Sequence, residues 1–369
     1  MRMKLSEVSK KISKGSTPRG KVNYSKNEKN FFLRVTDMVD LADVYNSEFT
    51  LSDKDINKNK MKLWPINTVL VSIEGTVGKI SILKKEMSFN QAVAGIVPNE
   101  EIINPRYLMY YLRTTPVFSS ILKGTIMPAL RLGDLSEIEI EVPDMNIQNK
   151  IVSIVDSITN KMDLNNKINN KLYDISKQLL LKYLDENNNS EEINISELLN
   201  VFTGKKNANE TSTNGKYKFF SCAPESLLSD TYLYDGAAII VAGNGAYTGR
   251  TRFYDGKFEL YQRTYGLTLK DGLDKNNIYG LYVFMKTIFE PDKMGGTHGS
   301  AIPYIVLSDL TGYKLKYNKD EFDKFSNLVS SNIKMIQKNE KFNEQLSQLR
   351  DTLLPKLMNG EIDLDNIEI

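Results

Sequence analysis

The chain has 369 residues, of which 25% are charged and 41% apolar, a composition typical of a folded protein rather than a disordered one. No run reaches the roughly 18 consecutive apolar residues that a membrane span requires. The single cysteine excludes a disulfide framework and fits a reducing compartment. The basic N-terminus lacks the apolar core of a secretory signal. We therefore expect a cytoplasmic protein of two or three domains.

The net charge of +2 conceals an uneven distribution. Residues 1–30 carry nine Lys and Arg against two Glu, a local balance of +7. A basic segment of this kind attracts nucleic acid or another polyanion. A solvated lysine-rich surface is the alternative interpretation.

The first half of the chain predicts a mixture of helix and strand. Its elements, in chain order, are a short helical piece from Leu5 to about Gly15, a strand from Phe31, a buried strand at 68–73, a glycine turn at 74–79, a helix at 107–113, a polar loop at 124–128 and a strand at 138–142. The strands mostly need not be parallel.

The second half repeats this order. The corresponding elements are a helical piece from Ile195 to about Gly204, a strand from Phe219, a buried strand at 237–242, a glycine turn at 245–250, a helix at 279–286, a polar loop at 296–300 and a strand at 313–317. Gln91 corresponds to Gln262, and Gly95 to Gly266. Residues 254–257 predict a further turn, since they contain Asp-Gly.

Each half ends in a long helix. Residues 147–184 and 320–357 superpose at a constant offset of 174 residues, so that Ile151 corresponds to Phe325 and Leu172 to Leu346. Alternating steps of three and four indicate a narrow apolar seam. Each helix of about 38 residues would be about 57 Å long. The polar linker at 185–190 ends the first half, and Pro355 and Asn359-Gly360 end the second helix.

We predict that the two long helices pack together as an antiparallel coiled coil. The fold is then α+β with an internal pseudo-twofold repeat: a first domain at 1–146, a first spacer helix at 147–184, a second domain at 185–319, a second spacer helix at 320–358 and a tail at 359–369. Asn165 and Asn339 are expected to meet near the centre and fix the register; exposure of both to solvent is the alternative. The predicted residues of the helix pair and partner interface are Ile151, Ile154, Ile168, Leu172, Ile175, Leu179, Phe325, Leu328, Phe342, Leu346, Leu349 and Leu353.

Catalytic motifs are not evident. His298 is the only histidine, and no GxxxxGK[ST] phosphate loop occurs. The glycines of 243–249 are wrongly spaced for a dinucleotide loop and favour a hairpin. Asn104-Pro105-Arg106-Tyr107 differs from the Asn-Pro-Pro-Tyr of adenine methyltransferases and favours a loop that enters a helix. We therefore expect a chain that is not an enzyme and binds no cofactor or metal.

The duplicated pattern resembles the DNA-specificity subunits of type I restriction–modification systems. The resemblance covers essentially the whole chain. It is carried by Gly15-Ser16-Thr17-Pro18, Gly75-Thr76-Val77-Gly78-Lys79, Asn90-Gln91, Pro105-Arg106-Tyr107-Leu108, the run 124–130, Val142-Pro143 with Gln148 and Ile151, and the closing run 349–362. The second half departs from the pattern at 296–300 and at 317–320.

The resemblance implies two target-recognition domains, each reading half of a split DNA sequence, on two antiparallel helices. It also implies two adenine methyltransferase subunits and ATP-driven restriction subunits as partners, so that S-adenosylmethionine, ATP and Mg²⁺ belong to those partners. Half-sites on one face of DNA lie about 34–36 Å apart, which the spacer helices can span. Because the halves differ in their loops, the site should be asymmetric.

Candidate DNA contacts divide into two classes, since phosphate contacts position a protein and base contacts specify. The predicted phosphate contacts are Lys14, Arg19, Lys21, Lys79, Lys205 and Lys206. The predicted base contacts are Ser16, Thr17, Thr76, Asn90, Gln91 and Arg131 in the first half, and Asn244, Tyr247, Arg250, Arg252, Gln262, Arg263 and His298 in the second. Arg suits guanine, and Asn or Gln suits adenine.

Two other functions remain open at this point. A non-catalytic scaffold with duplicated protein-binding modules would have the same architecture, but it would not need the basic N-terminal segment. A chain that is itself a methyltransferase or nuclease would need a cofactor loop or paired carboxylates, which the sequence does not show.

Overall fold

The computed structural model describes residues 1–19, 25, 28–116, 118, 130–289 and 303–364. The chain divides into two compact units, one formed by Met1–Lys161 with Gln345–Ile369 and the other by Met162–Glu344. Both contain helices and mainly antiparallel strands, so the predicted mixture of helix and strand is confirmed. None of the helices within the described ranges is long and apolar enough to cross a membrane.

The first unit is built on a five-stranded sheet in the order β2-β9-β6-β7-β4, with a three-stranded sheet β5-β3-β8 and a pair β1-β10. The strands are β1 (Arg2–Lys4), β2 (Ser9–Lys14), β3 (Asn30–Leu33), β4 (Ala42–Val44), β5 (Phe49–Leu51), β6 (Val69–Ser72), β7 (Ile80–Leu83), β8 (Ser88–Phe89), β9 (Val93–Pro98) and β10 (Glu139–Glu141). The helices that begin in this unit are α1 (Asp53–Lys58), α2 (Pro105–Thr114), α3 (Leu132–Ser136) and α4 (Met145–Glu186).

Helix α2 starts at the Asn-Pro sequence for a local reason. The Asn104 side chain accepts hydrogen bonds from the backbone N–H of Arg106 at 2.8 Å and of Tyr107 at 3.4 Å, and Pro105 occupies the first turn. The buried face of the helix, which includes Tyr107 and Leu108, then joins the core formed by strands β6 and β7. Asn104-Pro105-Arg106-Tyr107 is thus a helix entry, as predicted.

The second unit contains one six-stranded sheet in the order β12-β17-β15-β16-β13-β14 and a pair β11-β18. The strands are β11 (Glu192–Asn194), β12 (Leu199–Thr203), β13 (Tyr217–Phe220), β14 (Leu227–Ser229), β15 (Tyr234–Ala242), β16 (Thr251–Leu260), β17 (Thr264–Leu269) and β18 (Lys314–Lys316). Its helices are α5 (Asn277–Ile288), α6 (Leu307–Thr311) and α7 (Lys319–Met358), the last of which continues into residues of the first unit.

The internal repeat is visible in strand order. The antiparallel neighbours β2-β9-β6-β7 of the first unit correspond to β12-β17-β15-β16 of the second, and the pair β1-β10 corresponds to β11-β18. Helices α2 and α5 occupy equivalent places in the two sequences. Where the first unit has two short strands, β7 and β8, the second has the continuous ten-residue strand β16.

The core of the second unit requires close approach between helices α5 and α7. A Cβ atom added to Gly280 would lie 2.2 Å from Oγ of Ser326 and 3.1 Å from the rings of Phe322 and Phe325. Glycine and serine at this crossing therefore allow the helix backbones to pack closely. Tyr183 of α4 completes the aromatic cluster, with its ring 5.4 Å from that of Phe325.

Within the second unit the two long helices run in opposite directions. Asn165 donates to Asn343 at 2.7 Å, Asn339 donates to Asn169 at 2.8 Å, and Asn332 donates to Ser176 at 3.2 Å. The prediction that Asn165 meets Asn339 is wrong by one helical turn. Asn165 pairs with Asn343, four residues after Asn339, and Asn339 pairs with Asn169, four residues after Asn165. A central polar layer nevertheless exists, and Asn165 is buried in it.

The residues predicted for the helix-pair and partner interface differ in burial. Ile151 and Phe325 are buried, and Ile154, Leu172, Leu179, Leu346 and Leu353 are half-buried. Ile168, Ile175, Leu328, Phe342 and Leu349 are exposed and so do not lie between the helices. Besides Phe325, the buried apolar positions of the two helices in the second unit include Leu180, Tyr183, Phe322, Val329 and Ile333. The helices carry two apolar stripes, and sequence spacing did not distinguish the buried one from the exposed one.

Three predictions of local structure are wrong. Of the short helical pieces expected before Gly15 and Gly204, the second does begin with a 3-10 helical turn at Ile195–Glu197. The rest of both segments is mainly strand, β2 and β12, because both pair with the central sheet of their unit. Phe219 and Phe220 end a strand rather than begin one. The expected turn at 254–257 is the middle of β16, where Gly256 lies opposite Gly236 and both have φ of +139°. The polar loops at 124–128 and 296–300 lie outside the described residues.

Candidate nucleic-acid interface

In the first unit, several predicted DNA contacts surround one surface cavity of about 560 Å³. Ser16, Thr17, Arg19 and Gln91 line it together with Gly15, Lys58, Asn59 and Lys60. Lys58 is the last residue of the short helix α1, and Asn59 and Lys60 follow it; none of these three was predicted. Arg19, Lys58 and Lys60 are exposed and give the cavity a positive charge. The Lys-Asn-Lys sequence was visible, but nothing in it indicated proximity to Thr17.

Gly15 is the residue that brings the two sides of this cavity together. Its N–H donates to Val93 O and that of Ser16 to Phe89 O, each at 2.9 Å. A Cβ atom on Gly15 would lie 2.1 Å from Phe89 O, so any other residue would push the segment off the sheet. The cavity is closed on the other side by a hydrogen bond from Arg19 N–H to Asn59 Oδ1 at 2.8 Å.

Two of the predicted lysines are engaged within the protein. Lys14 forms an ion pair with Glu74 at 3.0 Å. The Nζ of Lys79 donates to Met38 O at 2.9 Å and to Val35 O at 3.4 Å, which ties the glycine turn to the loop before β4. Lys79 therefore has a structural role in this conformation, and Lys14 presents a partly neutralised charge.

The remaining candidates of the first unit lie apart from the cavity lining. Thr76 is exposed in the turn between Gly75 and Gly78, both of which have positive φ. Arg131 is exposed at the start of α3. The Oδ1 of Asn90 is buried and accepts no hydrogen bond among the described residues.

In the second unit, Asn244, Gln262 and Arg263 line a cavity of about 360 Å³. These residues lie on the β15–β16 and β16–β17 turns, and the remaining lining residues are Gly243, Tyr265, Tyr304, Ile305 and Val306. Gln91 lies in the turn between β8 and β9, and Gln262 lies in the turn between β16 and β17. Strand β9 pairs with β2 as β17 pairs with β12, so the two glutamines occupy corresponding turns. The predicted correspondence of the two glutamines is confirmed.

The other predicted DNA contacts of the second unit differ in how far their side chains are exposed or engaged within the protein. The Arg250 guanidinium lies 4.2 Å from the centre of the Tyr247 ring, so the two side chains form a stacked pair. Tyr247 is exposed and Arg250 is half-buried. Arg252 is half-buried and donates to Ala223 O. Burial and the neighbouring Arg250 charge lower the pKa of Arg252. Lys206 donates to Thr231 Oγ1 at 2.6 Å and Ser229 Oγ at 3.1 Å, whereas Lys205 is exposed.

Lys21 and His298 lie outside the described residues, and their predicted roles stay predictions. Within the described ranges no three His, Cys, Asp or Glu side chains come close enough together to hold a metal ion. Each unit presents a polar cavity at the ends of its central strands.

The comparisons with known proteins agree with this arrangement. The family model described as the type I restriction modification DNA specificity domain matches residues 1–173 and 187–324. The type I restriction enzyme MjaIX specificity subunit of Methanocaldococcus jannaschii is 23% identical over 96% of this chain and 92% of its own length. The EcoDI specificity subunit of Escherichia coli is 29% identical over 46% of this chain and 38% of its own length.

A solved structure shares the fold. The crystal structure of the S subunit of a type I restriction–modification system from M. genitalium superposes with a TM-score of 0.56 and 18% identity, and it covers 97% of this chain and 95% of that one. Specificity subunits are the non-catalytic members of type I systems; they bind DNA and assemble with other subunits. With family models matching in both halves, the chain belongs to the family of type I restriction–modification DNA specificity subunits.

Proposed function

We propose that this chain reads an asymmetric, bipartite DNA sequence and directs partner adenine methyltransferase and restriction subunits to it. The first recognition domain is residues 1–146 and the second is residues 185–319. The observation that carries the proposal is a cavity in each unit that is bordered by the corresponding glutamine turn and by polar or basic side chains. Because the two linings differ in sequence, the two half-sites should differ too.

The cavities differ in the chemistry that they offer. The first has the cations Arg19, Lys58 and Lys60 with the small hydroxyl side chains of Ser16 and Thr17 and the amides of Asn59 and Gln91. The second has one guanidinium, Arg263, and the two amides of Asn244 and Gln262. Cations hold the phosphate backbone and amides read base edges. Because the first cavity has three cations and the second has one, we assign more phosphate contact to the first cavity.

We further propose that helices 147–184 and 320–358 form an antiparallel coiled coil that spaces the two domains, followed by a tail at 359–369. The asparagine pairs Asn165–Asn343 and Asn169–Asn339 support this arrangement. A polar pair in an otherwise apolar helix interface fixes the register, since a shifted alignment would bury unpaired amides.

The exposed apolar stripe on the long helices supports partner docking. In the second unit, Leu328, Met335 and Phe342 recur every seven residues on α7 with 61%, 46% and 41% of their surface exposed. Leu164, Ile168 and Ile175 are exposed on α4. Apolar side chains repeated along one helix face favour association with another protein. We assign this stripe to methyltransferase subunits, and the helix repeat suits two copies.

The methyltransferase and restriction subunits would supply S-adenosylmethionine, ATP and Mg²⁺ chemistry, and the assembly would act in the cytoplasm. Single-molecule methylation mapping of DNA from cells with and without this chain tests the proposal. We expect N6-methyladenine at a split, asymmetric motif that disappears when the chain is deleted. If co-expression with its methyltransferase subunits yields no methylated motif, the duplicated scaffold becomes the better explanation.

A further inference from the structure

The amide groups of Asn244 and Gln262 are held at the second cavity through one atom each. The Sγ of Cys222 donates to Asn244 Oδ1 at 3.1 Å, and it also lies 3.3 Å from Arg263 O. The Nε2 of Gln262 donates to Asn207 Oδ1 at 2.8 Å. Neither Cys222 nor Asn207 was among the sequence-predicted site residues.

These contacts leave complementary groups unused. With Oδ1 of Asn244 engaged by the thiol, no described residue accepts a hydrogen bond from its Nδ2, which is left as a donor. With Nε2 of Gln262 engaged by Asn207, its Oε1 is left as an acceptor. In the major groove, adenine presents an acceptor at N7 and a donor at N6, the pattern that a donor and an acceptor side by side would match.

We propose that Asn244 and Gln262 read one adenine of the second half-site together, and that Cys222 and Asn207 are positioning residues that fix the two amides. The proposal rests on the DNA-reading function proposed above and goes beyond it by naming the base and the atoms. Asn244 Nδ2 donates to N7, and Gln262 Oε1 accepts from the N6 amino group. Cys222 and Asn207 prevent the amides from rotating, so the ordered pair disfavours guanine, whose O6 is an acceptor.

The cavity lining agrees with a base edge as the ligand. Arg263 supplies one positive charge beside the two amides, and no Asp or Glu is among the described lining residues. An acidic side chain there would repel phosphates flanking the base. The aromatic ring of Tyr265 lies at the same cavity, with its hydroxyl engaged by Ile305 O at 3.1 Å.

Cys222 provides a direct test because it is the only cysteine of the chain and is partly exposed. The full chain, co-purified with its methyltransferase subunits, is treated with N-ethylmaleimide, and modification of the Cys222 peptide is followed by mass spectrometry. Duplex DNA with the mapped target should slow the modification at least about tenfold. A duplex with a scrambled first half-site and an intact second half-site should retain most of this protection at saturating DNA. A duplex with an intact first half-site and a scrambled second half-site should not protect Cys222.

Base preference provides the second readout. Cys222→Ala and Asn207→Ala should each reduce the preference for adenine over guanine at one position of the second half-site by about tenfold, within the range of a single bidentate base contact. Cys222→Ser, which retains a donor, and Asn207→Asp, which retains the acceptor, should lose less. Preferences in the first half-site should not change, which separates a positioning role from a general loss of folding.

The outcomes separate this inference from the function on which it rests. If the complex binds no specific sequence at all, the proposed function fails. If it binds specifically but DNA does not slow modification of Cys222, or Cys222→Ala and Asn207→Ala leave the base preference unchanged, the positioning proposal is overturned while the recognition function stands.

Discussion

Asn165 of the first long helix donates a hydrogen bond of 2.7 Å to Asn343 of the second, within the unit formed by Met162–Glu344. Asn343 in turn donates to Asn166 Oδ1 at 2.9 Å and to Met162 O at 3.3 Å. One amide of α7 is thus engaged by three residues of α4. This polar layer fixes the register of the helix pair at the expense of apolar burial.

Replacing Asn165 by leucine should destabilise the protein by about 1–3 kcal/mol, because Asn343 then loses a partner in a buried position. The double substitution Asn165→Leu with Asn343→Leu should recover much of that loss, since two apolar residues would face each other. Chemical denaturation of the single and double variants measures the coupling. Asn170→Leu, at an exposed position of the same helix, is the control and should change stability by less than about 0.5 kcal/mol. Equal effects at residues 165 and 170 would contradict the assignment.

Gly280→Ala should destabilise the second unit by about 1–3 kcal/mol, because the new methyl group would lie 2.2 Å from Ser326 Oγ. Adding Ser326→Gly should restore part of the loss by removing the clashing hydroxyl. Thermal unfolding of the three variants measures both effects. Gly133→Ala is the matched control, since nothing lies within 4 Å of a Cβ atom there, and it should be neutral or slightly stabilising. Failure of Ser326→Gly to rescue Gly280→Ala would argue against steric contact as the cause.

Arg106→Met should cost about 3–5 kcal/mol, because it removes the partner of two half-buried carboxylates at once. Arg106 bonds to both oxygens of Asp43 at 2.7 Å and to Asp156 at 2.8 Å, and Tyr110 also donates to Asp156 at 2.6 Å. Adding Asp156→Asn should recover part of the stability by removing an unpaired charge. Equilibrium unfolding of each variant provides the measurement.

Arg2→Met is the appropriate comparison for that experiment. Arg2 pairs with Glu141 at 3.1 Å, but its side chain is 70% exposed. Exposed ion pairs contribute between zero and about 1 kcal/mol. A loss at Arg2 as large as that at Arg106 would show that burial is not the reason for the effect.

Stability should fall at alkaline pH through buried tyrosines. Burial raises the pKa of Tyr183 to about 12, above its ordinary value of about 10. The protonated hydroxyl, which donates to Lys316 O at 2.9 Å, is therefore favoured in the folded state. The resulting stabilisation of the folded state is fully present below about pH 10. About 2 kcal/mol of it is lost as the pH rises to about 12.

Urea unfolding at about pH 9 and about pH 11 measures this dependence, and Tyr183→Phe should flatten the slope. Burial raises the pKa of Tyr107, Tyr110 and Tyr282 as well, so part of the slope should persist in that variant. A slope that Tyr183→Phe leaves unchanged would remove Tyr183 from the explanation.

Phe342→Glu should weaken binding of the methyltransferase subunits without lowering the melting temperature of the chain, because Phe342 is exposed on α7. Co-purification and size-exclusion chromatography with the partner subunits measure assembly. Lys338→Glu changes the charge at an exposed position of the same helix and controls for charge alone. A melting temperature that falls with Phe342→Glu would instead place the side chain inside the helix pair.

The sequence by itself determined the duplication, the two long helices and the family. The 174-residue offset, the glycine turns and the paired Gln91 and Gln262 are local or periodic features, and such features do not depend on which strand lies beside which. The helix predicted at 147–184 is observed at Met145–Glu186, because a long apolar periodicity with helix-forming residues specifies helix directly.

Tertiary structure decided what periodicity left open. Ile168 and Leu180 both belong to apolar repeats of one helix, but only Leu180 is buried, because the rotation of α4 about its axis depends on its partners. Strand β16 runs through an Asp-Gly sequence because β15 pairs with it from Thr251 to Phe258. Cys222 and Asn207 came into the site through hydrogen bonds across 22 and 55 residues of chain, contacts that no local pattern encodes.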